Sequence, residues 1–80
     1  MELIPIEVQC YAGHKADETP RRFRYEGGWI EVVAVQDRWY QSDRDSEWPI
    51  ADYFKILGSD GHRYLLKRDR EADAWYLVAG

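Results

Sequence analysis

The feature that most constrains this chain is the alternation of apolar and polar residues in short runs along most of its length. In the first run, apolar side chains occupy every second position, at Ile4, Ile6, Val8 and Cys10. A period of two places them on one face of an extended strand, whereas a helix would repeat them about every 3.6 residues. Further runs with strand character lie at 22–25, 29–40, 53–57, 63–67 and 75–78. The sequence therefore predicts an all-β chain of about five to six strands.

Glycine-containing pairs separate the runs at two places and predict tight hairpins. Gly27-Gly28 supplies two residues able to adopt positive φ, as a two-residue hairpin loop requires. Asp60-Gly61 is a strong hairpin signal, and as a two-residue loop it would pair Ile56 with Leu65.

In the longest run, from Trp29 to Tyr40, the apolar side chains move from even to odd positions at Val32-Val33. A β-bulge produces such a change, and it also bends the strand in the way that closes small barrels. We therefore expect residues 1–80 to form one domain, either a small antiparallel barrel or a strongly curled sheet.

Composition narrows the classes of protein to which the chain can belong. Its 80 residues contain one cysteine, so no internal disulfide is available, although secreted domains of this size usually depend on such bonds. We therefore expect a cytoplasmic protein. No apolar run reaches the length of a membrane span, and the first residues lack the pattern of a signal peptide. A net charge of -4 disfavours a general polyanion binder.

The residues that commonly carry catalysis or bind metals are few and poorly arranged. Cys10, His14 and His62 are the only nitrogen or sulfur ligands, and a structural zinc site uses four. Asp43, Asp45 and Glu47 alternate, but they lack the glycine and the bidentate glutamate of a calcium loop. We therefore expect no metal.

The run 59–62 contains serine, aspartate and histidine. Within one hairpin turn these side chains cannot align as nucleophile, base and orienting group. The sequence therefore predicts a protein that is not an enzyme and that uses no cofactor.

Basic residues interleave with aromatic residues along the predicted strands. The positions that would form a basic groove are Arg22, Arg24, Lys55 and Arg68. Barrels that bind single-stranded nucleic acid combine such a groove with aromatic stacking platforms. Acidic neighbours partly neutralise each cluster, so a single-stranded nucleic-acid-binding module is the alternative hypothesis rather than the first.

The pattern of aromatic and turn positions resembles a known family. It comprises Glu18-Thr19-Pro20-Arg21-Arg22-Phe23-Arg24-Tyr25-Glu26-Gly27-Gly28-Trp29, Asp37-Arg38-Trp39, Asp52-Tyr53-Phe54-Lys55-Ile56, Asp60-Gly61, Tyr64-Leu65-Leu66, Arg68-Asp69 and Trp75-Tyr76-Leu77. Over about residues 18–80 the chain resembles a small bacterial family of unknown function. Similar modules form the C-terminal end of the Y-family-polymerase-like accessory proteins of bacterial mutagenic DNA repair. The resemblance implies protein contacts, with a DNA repair component as the partner, and no catalytic residues.

The segment between Asp37 and Asp52 is the predicted place for a protein partner. Trp39 and Tyr40 end the longest strand, and Trp48 follows a wholly polar loop. Trp48 either covers the open end of the barrel or forms, with Tyr40, an anchor inside an acidic rim. We therefore expect a non-catalytic protein-interaction module with a link to bacterial DNA damage tolerance, and Trp39, Tyr40 and Trp48 are its candidate partner-binding residues.

Overall fold

The computed structural model describes residues 2–10, 19–42 and 50–79. They form six strands: β1 (Glu2–Cys10), β2 (Pro20–Tyr25), β3 (Gly28–Gln41), β4 (Ala51–Gly58), β5 (Arg63–Asp69) and β6 (Ala74–Ala79). Each strand pairs antiparallel with the next, and β6 pairs with β1 to close a barrel. The predicted all-β fold and antiparallel barrel are confirmed. Within the described residues, no helix has the length and apolar character needed to cross a membrane.

Two strands change partner along their length, which gives the barrel its shape. Residues 2–6 of β1 pair with β6, whereas residues 7–10 pair with β2. In the same way, residues 28–31 of β3 pair with β2, and residues 32–41 pair with β4. Bent strands of this kind form the corners at which a sheet folds back on itself.

Bulges in β3 account for its bend. Val32 pairs with Gly58 and Ala34 with Leu57, so Val33 is an extra residue, and it is 63% exposed. This confirms the predicted bulge. A second irregularity at Gln36 was not predicted. Residues 36–38 are all polar, so no alternation of apolar and polar residues marks a change of face there.

The core lies inside the barrel and is half aromatic and half aliphatic. Its buried members are Phe23, Phe54, Ile56, Leu66, Trp75 and Leu77. The alternating apolar face of β1 packs against them, including Cys10, which is partly buried. The rings of Phe54 and Trp75 lie 5.4 Å apart between centroids, within the range of favourable aromatic pairs.

The first glycine turn lies one residue earlier than predicted. Tyr25 pairs with Gly28, and the two residues between them have positive φ, 52° at Glu26 and 81° at Gly27. This is the conformation of a type I′ hairpin turn. Gly28 is therefore the first residue of β3 rather than part of the loop.

The β4–β5 hairpin also differs from its predicted register. Ile56 pairs with Tyr64 rather than with Leu65, because the Gly58 N–H donates to the His62 carbonyl at 2.8 Å and leaves a loop of three residues, 59–61. The Gly61 N–H donates to the Gly58 carbonyl at 3.0 Å, and Gly61 has a φ of 85°. A type I turn followed by a left-handed glycine makes a three-residue hairpin loop, which shifts every pair by one.

Candidate functional site

The predicted anchor residues Trp39 and Tyr40 lie on opposite faces of β3. Trp39 pairs with Tyr53, whereas Tyr40 pairs with Asp52, and successive strand residues point to opposite sides of a sheet. The structure therefore divides the predicted site into two separate environments. Trp48 lies outside the described residues.

Tyr40 lines a groove at one end of the barrel, where the end of β3 meets the start of β4 and the end of β5. The groove has a volume of about 220 Å³, and its lining residues are Tyr40, Ile50, Ala51, Asp69, Arg70 and Glu71. Tyr40 is 47% exposed and Ile50 is 39% exposed. Two large apolar side chains are thus presented to solvent within one concavity, which we call the mouth groove.

Arg70 forms one wall of the mouth groove. Its Nε and Nη2 groups donate to the two carboxylate oxygens of Asp52, at 2.7 and 2.8 Å. This two-bond pairing with Asp52 raises the pKa of Arg70 above its already high ordinary value. The guanidinium also lies over the Tyr40 ring, 4.3 Å from its centroid. Asp52, whose side chain is 16% exposed, therefore holds Arg70, and Arg70 in turn packs against Tyr40.

The β5–β6 turn forms the acidic rim of the groove. One carboxylate oxygen of Asp69 accepts the backbone N–H groups of Glu71 at 3.0 Å and Ala72 at 3.1 Å. Asp73 has a φ of 50° and pairs with Arg68 at 3.0 Å. These bonds fix the backbone that carries Glu71, whose side chain is exposed.

Trp39 belongs to a second aromatic cluster, on the outer face of the sheet. Its ring stacks on that of Tyr53 at 5.4 Å, with an angle of 17° between the planes. Tyr53 is fully buried, and this burial raises the pKa of its phenol. Next to Tyr53 across the sheet, Lys67 is 4% exposed, and its Nζ lies 4.7 Å from the centroid of the Tyr76 ring. Trp39 thus contributes to a packed surface rather than to the mouth groove.

Of the four residues of the alternative basic groove, only Arg22 and Arg24 are brought together, as neighbours on the outer face of β2. Arg22 lies on the outer face of β2, where its Nε donates to Gln9 at 2.6 Å and its Nη1 lies 3.9 Å from Glu31. Its guanidinium covers the ring of Trp29, 4.6 Å from the centroid. Arg24 pairs in register with Glu7 on β1 and with Trp29 on β3.

The other two basic residues lie in different surroundings. Lys55 pairs in register with Asp37 on β3. Arg68 points toward the opposite face, where it pairs with Asp73, and its side chain is 13% exposed. Each of the four predicted bases therefore has an acidic residue beside it, and no continuous basic groove joins them.

The residues considered as metal ligands form no cluster in the part of the chain that the structure describes. No group of three His, Cys, Asp or Glu side chains among the described residues has the proximity needed to hold a metal. His62 is exposed in the β4–β5 turn, and its backbone N–H donates to the Asp60 carboxylate at 3.0 Å. His14, Asp43, Asp45 and Glu47 lie outside the described residues.

Sequence reasoning missed most of the mouth groove. Ile50 and Asp52 lie in the predicted segment but were not named as site residues, and Asp69, Arg70 and Glu71 lie outside that segment. The Asp52–Arg70 pair joins positions in different strands, and no local pattern reveals it. In the sequence, Asp69-Arg70-Glu71 is a run of charged residues between two predicted strands, with no pattern that indicates a site.

Comparison with protein-family models, with curated proteins and with solved structures gave no match to this chain. The resemblance to the C-terminal module of polymerase-like repair proteins therefore stays a prediction. The assignment of a function depends on the geometry of the mouth groove and on its charges.

Proposed function

We propose that this protein is a non-catalytic interaction module that docks a protein partner in the mouth groove. The observation that carries the proposal is the exposure of Tyr40 and Ile50 inside one concavity. Exposed aromatic and aliphatic side chains with polar surroundings are where binding energy concentrates in protein interfaces.

The polar groups of the groove support binding rather than proton transfer. Asp52 and Arg70 satisfy each other through two hydrogen bonds, and Asp69 accepts two backbone N–H groups. Such groups hold a surface in one shape, which reduces the entropy lost when a partner binds. We assign them the role of positioning Tyr40 and the β5–β6 turn.

The resemblance described above supports a further part of the proposal, that the partner is a component of bacterial DNA damage tolerance. It would place this module among proteins that bring repair factors together. The identity of the captured partner tests this part separately from the docking function.

Photo-cross-linking in the source cell tests the docking function. A benzoylphenylalanine at Ile50 should capture a partner, whereas the same group at Arg63, which is exposed at the start of β5, should not. Tyr40→Ser should reduce the capture at position 50 while the unfolding midpoint stays close to that of the unsubstituted chain. Equal capture from both positions, or none from Ile50, would overturn the proposal. Mass spectrometry of the captured protein then shows whether it belongs to DNA repair.

One observation favours the alternative, a single-stranded nucleic-acid-binding module. Trp29 is 37% exposed, and Arg22 lies over its ring, which is the combination of cation and aromatic platform that stacks bases. The acidic residues beside Arg22, Arg24 and Lys55 act against it, because they repel phosphates. We therefore keep it as the second candidate.

A further inference from the structure

The mouth groove has an excess of negative charge. Asp52, Asp69 and Glu71 provide three carboxylates in or against its walls, and Arg70 provides one guanidinium. Among the described residues, two negative charges are therefore left uncompensated at the groove. The Glu71 carboxylate makes no hydrogen bond or ion pair with the described residues, so it is available to a partner.

Arg70 does not turn the groove into an anion site. Two of its N–H groups already point at Asp52, and its flat face lies on Tyr40. An incoming carboxylate or phosphate would have to compete with Asp52 and would also meet Asp69 and Glu71. A cation is attracted instead, because the Glu71 carboxylate has no partner among the described residues and is negatively charged.

Resting on the proposed docking function, we infer that the partner segment bound in the mouth groove carries a lysine or arginine beside an apolar residue. The apolar residue packs between Tyr40 and Ile50, and the cation lies at the rim against Glu71. The long apolar stem of a lysine or arginine suits this arrangement, since it covers Tyr40 while its charge stays in water.

Charge also distinguishes this occupant from two others. Residues 43–49 of the same chain contain three carboxylates and one arginine, so their net charge is negative and the groove repels them. A second copy of the chain, with a net charge of -4, is repelled as well at low ionic strength. A basic segment of another protein is the occupant that the charges favour.

The inference can be tested by nuclear magnetic resonance with the full isotope-labelled chain and three capped peptides. The peptides have the sequences Gly-Leu-Lys-Leu-Gly, Gly-Leu-Gln-Leu-Gly and Gly-Leu-Glu-Leu-Gly. We expect the lysine peptide to shift the amide signals of Ile50, Ala51 and Glu71, and to bind roughly two- to fivefold more tightly than the glutamine peptide, as one exposed ion pair allows. The glutamate peptide should bind most weakly. The advantage of lysine should shrink as salt is added.

A matched pair of variants locates the effect. Glu71→Gln should remove most of the preference for lysine, whereas Glu26→Gln, in the β2–β3 turn, should leave it unchanged. Equal binding of the lysine and glutamine peptides at the groove would overturn the charge inference and leave the docking function standing. Shifts of groove amides with protein concentration alone would overturn it in favour of a second copy. If no peptide changes the chemical shifts of these amides, the inference is wrong. Cross-linking at Ile50 then tests the docking function independently.

Discussion

The hydroxyl of Tyr64 donates a hydrogen bond to the carboxylate of Asp60 across the β4–β5 turn. This bond is the main reason that the pKa of Asp60 lies below its usual value and that the pKa of Tyr64 rises to about 12. The Tyr64 ring also packs edge-on against Phe23, with 5.1 Å between centroids. One side chain therefore ties the turn to the core.

The first prediction is that this bond makes stability depend on pH at both extremes. The folded pKa of Tyr64 is raised above its ordinary 10.0, so the bond stabilises fully below pH 10.0 and is lost as pH rises toward 12. The folded pKa of Asp60 is lowered, so its contribution is present above its ordinary pKa of 3.8 and is lost as pH falls through the folded value.

Tyr64→Phe removes the bond and retains the ring. Urea titrations give the free energy of unfolding of both proteins. The difference between them should not depend on pH near neutrality and should become smaller in strong acid and in strong base. A difference that stays constant across the whole range would show that the bond contributes nothing.

The second prediction concerns the close packing at Gly58. A methyl group there would lie 2.8 Å from Ile30 Cγ2, 2.8 Å from an Asp60 oxygen and 3.1 Å from the Tyr64 ring. Gly58→Ala should therefore lower the free energy of unfolding by about 1–3 kcal/mol, as overpacking does. Gly28→Ala is the control, because an added methyl group meets nothing within 4 Å and the φ there is not positive. Equal stability of the two variants would contradict the prediction.

The third prediction compares Trp39 and Trp29, the two tryptophans on the outer face of the described strands. Trp39 stacks on buried Tyr53, so Trp39→Ala should cost about 2–4 kcal/mol, at the lower end of the range for large aromatic residues. Trp29 is 37% exposed beneath Arg22, and Trp29→Ala should cost about 1 kcal/mol or less. Thermal unfolding compares them. If Trp39→Ala is as stable as the parent chain but fails to bind the cross-linked partner, Trp39 acts as an anchor instead.

The fourth prediction concerns the wall of the mouth groove. Asp52→Asn removes the charge that holds Arg70, so the guanidinium should leave the Tyr40 ring. The ring protons of Tyr40 should then change chemical shift, and cross-linking from Ile50 should weaken. Arg22→Lys is a suitable control, since it alters a cation–aromatic pair on another face. Unchanged Tyr40 signals in Asp52→Asn would show that the pair does not position the ring.

The fifth prediction concerns nucleic acid. We expect no binding of a single-stranded oligonucleotide at about 50 mM salt, where phosphate contacts are strong. The physical reason is that Glu31, Glu7 and Asp37 lie beside the outward-facing bases. Measurable binding by fluorescence anisotropy, lost when Arg22 and Arg24 become glutamate, would favour the second candidate function.

The fold could be predicted because most strands alternate apolar and polar side chains, although β4 and β5 bury neighbouring residues that point to opposite faces. The bulge at Val33 was visible for the same reason, whereas the irregularity at Gln36 lies among polar residues and left no signal. The register of the β4–β5 hairpin depended on one backbone angle, the positive φ of Gly61, which composition does not determine.

The candidate site could be predicted only in part. Tyr40 stood out as an aromatic residue at the end of a long strand, and it does line the groove. Its neighbour Trp39 was assigned to the same site, although adjacent strand residues face opposite sides. The remaining walls come from Ile50, Ala51 and the end of β5 with the β5–β6 turn, and they meet only when β3, β4 and β5 are paired.

Closure of the barrel by β1 and β6 has a consequence for how the chain reaches its fold. That pairing joins partners as distant in sequence as Glu2 and Ala79, so the entropy of nearly the whole chain opposes it. The local hairpins β2–β3 and β4–β5 are expected to form first, and closure to come last and limit the folding rate. Until then β1 and β6 each present an unpaired edge, which is the state most prone to aggregation. During synthesis this exposure ends only when the last strand has left the ribosome.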